Sequence, residues 1–311
     1  MKKNKKHIIG LFISRYILAA ILLFSLISAR PAICSQTGAG LDNKDKTLIE
    51  IELIHTNDTH GNLQKPFDDG LTLLSFVSGY KNMIIHNKKD AGLLLVDAGD
   101  ITSYKDVSFE TMESDLRALD ALGYHAMTIG NHEIDFGLYK FYELSKTVKM
   151  PILCSNIIDR RTGGYLFKPY IVKTFGKTRI AIAGITASNT FTALSDEEKN
   201  KIIFLGTDEA YLKILPDLKA NADIIILLSH LGLPEDREFA KRHPEVKLII
   251  GGHSHTFLNQ AEYAGKTCIL NAGKFGDCFG RAKIKIDGGQ IVSIEESLNY
   301  MKKSILNNVK K

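Results

Sequence analysis

At 311 residues, 44% hydrophobic and 24% charged, the chain has an ordinary globular composition with room for one large domain or two small ones, and it carries no low-complexity stretch or internal repeat. Six basic residues (Lys2, Lys3, Lys5, Lys6, Arg15 and Arg30) precede the first acid, Asp42, so six of the charges of a +5 chain sit in the leader and −1 remains for the body. A near-neutral body excludes a broad basic face, and with it a nucleic-acid polymer as partner.

The Lys-rich start followed by the apolar run 17–29 predicts an export signal or an uncleaved anchor over residues 1–35. Arg15 separates that run from the apolar segment 8–13, which argues against one long membrane span. Export to the periplasm or the outside is expected, with membrane contact only through this segment if it stays attached. Residues 36–46 form a polar linker. One folded domain is expected over 47–298.

Within it, short apolar runs predict strands at 51–54, 93–96, 126–129, 224–228 and 246–250. Helical patterns lie at 71–87, from a Ser108 cap to Gly123, and at 138–148 before Pro151. A strand at 152–154 and a hairpin, 170–173 with 179–185 about Gly176-Lys177, follow. Helices at 208–220 and 234–242 flank the fourth of these strands. The end of the domain reads as pure β: 267–270, 280–286, a Gly288-Gly289 turn and 291–297. Parallel βαβ units followed by antiparallel strands suggest an α/β protein of two packed sheets covered by helices. Residues 299–311 read as a basic, helical tail. Cys268 and Cys278 lie on consecutive apolar segments, where they either pair or stay buried as free thiols; Cys34 falls in the leader.

Directly behind the five strands first named stand five polar clusters: Asn57-Asp58-Thr59-His60, Asp97-Ala98-Gly99-Asp100, Gly130-Asn131-His132-Glu133, Ser229-His230 and Gly252-His253-Ser254-His255. Carboxyl ends of neighbouring strands converge on one rim of an open sheet. Asp58 and His60, two apart, would face the same way in an extended segment and grip one ion. His253 and His255 repeat that spacing. Asp100 is placed to bridge two cations, Asn131 offers a neutral oxygen and His230 an imidazole. Mixed oxygen and nitrogen donors suit Zn²⁺, Mn²⁺ or Fe²⁺ rather than Ca²⁺. A lone His or Asp behind a strand is usually structural, and His7, His86, His125 and His243 are read that way. Recurrence behind five strands is what singles out the others. His55, inside the first strand, reads as a neighbour of the ligands and not as one.

This motif series, with His55-Thr56-Asn57-Asp58 and Asp135-Phe136-Gly137 around it, resembles the calcineurin-like metallophosphoesterases, and within them the exported 5′-nucleotidases, over residues 49–297. The resemblance implies a four-layer α/β/β/α sandwich of two mixed sheets with two divalent transition-metal ions. Asp58, His60 and His255 would hold one ion, Asn131, His230 and His253 the other, and Asp100 both. His132 corresponds to the catalytic histidine and Asp135 to the acid that orients it, while Asp97 and Glu133 fit as hydrogen-bond partners of the ligands. The implied activity is hydrolysis of a small phosphoester, mono- or diester, a nucleotide among the candidates, by a hydroxide bridging the ions. The alternative is a metal-binding or sensing protein without turnover. Typical relatives continue into a C-terminal domain that stacks the base. None is expected after residue 298, so selectivity for the organic arm of the substrate is expected to be weak.

Overall fold

The computed structural model describes residues 48–87, 91–103 and 107–301. Its first strand, β1 (Ile49–Thr56), explains the layering. Side chains alternate along a strand: Ile51 and Leu53 enter one buried cluster, while Ile54, on the face it shares with Glu50 and Glu52, enters another. β2 (Gly92–Asp97) repeats this, with Leu94 and Val96 on the inner side and Leu95 on the outer. Strands that bury apolar side chains on both faces must be covered on both.

β3 (Ala126–Thr128) and β4 (Ile152–Leu153) continue the parallel run, while β13 (Cys278–Asp287) and β14 (Gln290–Tyr300) add antiparallel beyond β1. The order is β14-β13-β1-β2-β3-β4. A second sheet is built from β6 (Tyr170–Phe175), β7 (Thr178–Thr186), β9 (Ile224–His230), β10 (Val246–Gly251), β11 (Glu262–Ala264) and β12 (Thr267–Leu270), in the order β11-β12-β10-β9-β7-β6. Its four inner strands are parallel and its two edge strands antiparallel.

Ile51, Leu53, Leu94 and Val96 of one sheet pack between the layers with Ile182, Ile226, Leu228 and Ile250 of the other. The outer face of the first sheet is covered by α1 (Leu73–Asn87), α2 (Phe109–Leu122) and α3 (Leu138–Ser145), through Leu73, Val77, Leu116 and Phe141. α6 (Thr207–Asn221) and α7 (Leu233–Arg242) cover the second through Tyr211, Ile214, Leu218 and Phe239. The expected mixed-sheet α/β sandwich is the observed fold. The caps expected for α2 are present: Ser108 accepts from the Thr111 amide, and Gly123, at φ 83°, closes the helix.

Five short elements escaped the sequence patterns. These are β5 (Ile157–Asp159) and β8 (Ile202–Phe204), which pair with each other, the edge strand β11, α4 (Ser188–Ala193), and α5 (Asp196–Lys201), a wholly polar turn that stands on a Ser195/Glu198 capping box. The expected helical tail is corrected at its start. Asn299 and Tyr300 continue β14 because Phe279 and Cys278 of β13 still offer them a partner strand. Cys268 and Cys278 lie on strands of different sheets and, with Cys154, are buried free thiols. The leader, the linker and residues 302–311 fall outside the described residues. Among those described, no helix is long and apolar enough to cross a membrane.

Candidate metal centre

Both sheets end their parallel strands on the same side, and the five clusters meet there. Three groups of side chains bring their donor atoms within 4.8 Å of one another: Asp58 with His60 and His255, Asp100 with His230 and His253, and His60 with Asp100 and His132. Asp58 Oδ1 lies 3.5 Å from His255 Nε2 and 3.9 Å from the Nε2 atoms of both His60 and His230. His230 Nε2 stands 3.0 Å from Asp100 Oδ2, though not aligned as a hydrogen bond.

The loops that carry these groups are wound unusually. Asp58, His60, Asp100, His253 and His255 all have positive φ, between 47° and 70°. The reading of Asp58–His60 and His253–His255 as extended pairs is therefore corrected: left-handed turns, not strand alternation, aim each pair. Such backbone costs on the order of 1 kcal/mol or more per residue and persists only where its surroundings enforce it.

The enforcing contacts are visible. Glu133, fully buried, accepts from the amides of Asp100 (2.9 Å), Ile101 (2.8 Å) and Gly130 (2.6 Å), fixing two loops at once. Asp97 accepts from Thr56 Oγ1 (2.6 Å) and the Gly99 amide (2.8 Å). Asn57 donates to Asp58 Oδ2 (2.6 Å) and to the Gly273 carbonyl (2.8 Å), and accepts from the Ala272 amide (2.8 Å). Gly130 is obligatory, since a Cβ there would sit 2.1 Å from Asp100 Oδ1. Glu133 is thus a hydrogen-bond partner of a proposed ligand, as the sequence suggested, while Asp97 holds Thr56 and Gly99 instead. Asn57 heads the first cluster, but its role as a clamp on the 271–273 loop was not visible in the sequence.

The donor set fits a divalent cation. His60 Nδ1 donates to the Thr102 carbonyl (3.0 Å) and His230 Nδ1 to the Ala98 carbonyl (2.7 Å), which turns each Nε2 into the centre. Asn131 Oδ1 and His230 Nε2 are buried without a hydrogen-bond partner. Burial lowers the pKa of His60, His253 and His255, the last to about 4, keeping them in the neutral, ligating form. Burial pushes Asp58 and Asp97 up to about 7 and Glu133 to about 8. Asp100 and His230 resist burial by pairing, the acid held below its usual range and the imidazole raised to about 10. So many carboxyls in one dry space call for added positive charge.

His132 stands at the half-exposed rim, its donor atom within 4.8 Å of those of His60 and Asp100. Its Nδ1 donates to Asp135 Oδ2, and that hydrogen bond raises its pKa against the effect of burial. Its ring meets that of His60 edge-on at 5.2 Å. His55 does not belong here. It turns instead toward Glu296, 3.4 Å away, in the space a Cβ on Gly280 would fill. His125, which accepts from the Leu95 amide, and His243, 2.7 Å from Asp208, are structural as expected.

Known proteins resemble this chain. Protein UshA of Salmonella pullorum is 28% identical over 96% of this chain and 60% of its own length. The 5′-nucleotidase of Vibrio cholerae is 27% identical over 92% of this chain and 57% of its own. The chain thus spans about 60% of the length of the curated relatives it matches. A crystal structure of a 5′-nucleotidase precursor from Thermus thermophilus superposes with a TM-score of 0.68 at 25% identity, over 81% of this chain and 55% of that one. The family described as calcineurin-like phosphoesterase matches residues 51–257, a stretch that begins in β1 and takes in all five clusters, and the chain belongs to that family.

Proposed function

We propose that residues 47–298 form the catalytic domain of an exported phosphoesterase that works with two divalent transition-metal ions, Zn²⁺, Mn²⁺ or Fe²⁺. Asp58, His60 and His255 would hold one ion, Asn131, His230 and His253 the other, and Asp100 would serve both. The observation that carries this reading is the place of Asp100, whose carboxylate belongs to donor groups on both sides of the centre. Bound there, the cations would act as Lewis acids on the phosphoryl oxygens.

The chain's own groups supply the rest. Asp135 orients His132 and favours its protonated form, so His132 can stabilise charge on the phosphoryl group. As the P–O ester bond breaks, its Nε2 hands a proton to the departing alkoxide, and Asp135 stabilises the imidazole throughout. Oxygen from water ends on phosphorus, and the products are an alcohol and phosphate or, from a diester, a monoester. The names of the relatives support a nucleotide substrate. The Lys-rich start and the apolar run 17–29 support export to the periplasm or the outside.

The test is hydrolysis of AMP, an aryl phosphate and a phosphodiester by the full chain loaded in turn with each metal. Turnover of at least one, abolished by chelation, is expected. Stoichiometric metal uptake with no turnover of any ester would leave a binding or sensing protein and overturn the catalytic reading.

A further inference from the structure

Among the described residues six that are not glycine adopt positive φ. Five are the proposed metal ligands Asp58, His60, Asp100, His253 and His255. The sixth is Phe275, at φ 56°, and no ligand role is open to it. Its own loop shows the cheaper solution on either side, with Gly273 at φ 74° and Gly276 at φ 70°. Glycine takes that conformation freely, whereas a bulky residue there is strained and persists only where its surroundings enforce it.

Core packing does not account for the ring. Phe275 is 44% exposed, and it lines a cavity of about 750 Å³ beside His60. What it does touch is selective. Its amide donates to the Asp58 carbonyl (2.7 Å), and its ring lies 5.3 Å from that of His60 and 5.7 Å from that of His255. Those three are the residues proposed to hold one ion. Among the described residues Phe275 has no hydrogen bond or ring contact with Asn131, His230 or His253, which are proposed to hold the other.

His255 is where such a contact matters most. His60 and His230 are each aimed by Nδ1, which donates to a backbone carbonyl. Of the two ring nitrogens of His255, only Nε2 has a polar partner among the described residues, 2.9 Å from His60 Nε2 and 3.5 Å from Asp58 Oδ1. That nitrogen is the one turned into the centre, so no second hydrogen bond fixes the ring. A ligating imidazole without such an anchor can turn out of line unless packing stops it. The Phe275 ring stands beside it, tilted by 57°.

We propose that Phe275 is a positioning residue for the ion held by Asp58, His60 and His255. Its ring blocks rotation of the His255 imidazole and backs that of His60, while its amide holds the Asp58 turn. The inference rests on the two-ion reading above and adds a residue that supports one half of the centre and not the other.

The test is a Zn²⁺ titration of the chelator-stripped full chain in metal-buffered solution, followed through ¹H–¹⁵N spectra of the histidine rings. Zinc on Nε2 shifts the ring nitrogens, so His60 with His255 and His230 with His253 report the two halves separately. Phe275→Ala removes the ring and keeps the backbone strain. Phe275→Gly removes both, which guards against a variant that fails to fold, and Phe275→Tyr keeps the ring. In the Ala and Gly variants the His60 and His255 signals should need about ten- to a hundredfold more free Zn²⁺, the usual effect of removing a ligand's support. The His230 and His253 signals should shift at the parental concentration, and Phe275→Tyr should behave as the parent throughout. A parental response of all four histidines in Phe275→Gly would overturn the proposal and leave the two-ion reading standing. Equal weakening of both pairs would make Phe275 a general prop of the fold and would overturn it as well. A parent chain in which only one pair responds would overturn the two-ion reading, and the selective role of Phe275 with it.

Discussion

His132 Nδ1 lies 2.5 Å from Asp135 Oδ2, while the His132 amide donates to Asp100 Oδ1 across 2.9 Å. A single short loop therefore ties the proposed acid to its orienting carboxylate and to the carboxylate at the middle of the centre. His132→Ala should lower kcat about 10²- to 10⁴-fold while metal content survives. The loss should shrink for an aryl phosphate, whose leaving group needs no proton. Asp135→Asn should act through pH. The hydrogen bond that His132 donates to Asp135 raises the His132 pKa, so its removal lowers it. The acid form is then lost at lower pH, and the alkaline limb of kcat should move toward acid. An unchanged pH profile would show that Asp135 does not govern His132.

Asp100 should be the least replaceable donor. Asp100→Asn keeps the size and one oxygen but removes the charge that both halves of the centre share. Elemental analysis should give two transition-metal ions per chain in the parent and fewer than one in the variant. Chelation should lower Tm in the parent, because ions that bind only the folded state stabilise it. A variant that retains both ions would show that the two halves hold their metals independently.

Glu133 should prove a structural acid. It accepts from three backbone amides, of Asp100, Ile101 and Gly130. Glu133→Ala leaves three buried donors without partners, and each orphaned group costs about 1–3 kcal/mol. Denaturant unfolding should therefore show a loss of about 3 kcal/mol or more, accompanied by loss of metal affinity as Asp100 comes loose. Glu133→Gln, which retains one accepting oxygen, should fall between the two. A Glu133→Ala protein with parental stability would mean that water replaces the carboxylate.

The contrast between Asp58 and Asn57 shows how far the sequence could be read. Asp58 was legible because metal chemistry restricts the residue type and because the cluster sits behind an apolar strand, a pattern that recurs five times. Long strands were legible for the same reason, as runs such as Ile224–His230 are apolar on both faces. Asn57 was not, since its partners at 271–273 are more than 200 residues away and its chemistry is only hydrogen bonding. Backbone handedness was hidden too. Nothing in the letters of Asp58 or His255 announces a positive φ, which tertiary contacts impose. Phe275 was lost to the same cause: in sequence it is one aromatic among 15 phenylalanines, and only its backbone and the cavity beside it set it apart.

Asp115 offers a test of the fold away from the centre. It lies on the buried face of α2 with Met112, Leu116 and Leu119, only 1% exposed. Gln64 donates to Oδ1, but Oδ2 has no partner. Burial pushes its pKa from 3.8 up to about 6, with Gln64 pulling the other way. Because the folded pKa exceeds the unfolded one, the folded chain binds this proton more tightly. The contribution to stability is fully present below the unfolded pKa and is lost as pH rises through about 6. A shift of about two units corresponds to about 3 kcal/mol, an upper figure for one buried group. Asp115→Asn keeps an oxygen for Gln64 and cannot ionise. Its amide N–H₂ lacks an acceptor, so at low pH the variant should be the less stable of the two. Between about pH 4 and about pH 8 the difference should move in the variant's favour by about 1 kcal/mol or more, up to about 3 kcal/mol. Urea unfolding of both proteins at the two pH values measures this directly. A gap between parent and variant that does not change with pH would mean that Asp115 is ionised in the folded protein throughout, and that solvent reaches Oδ2.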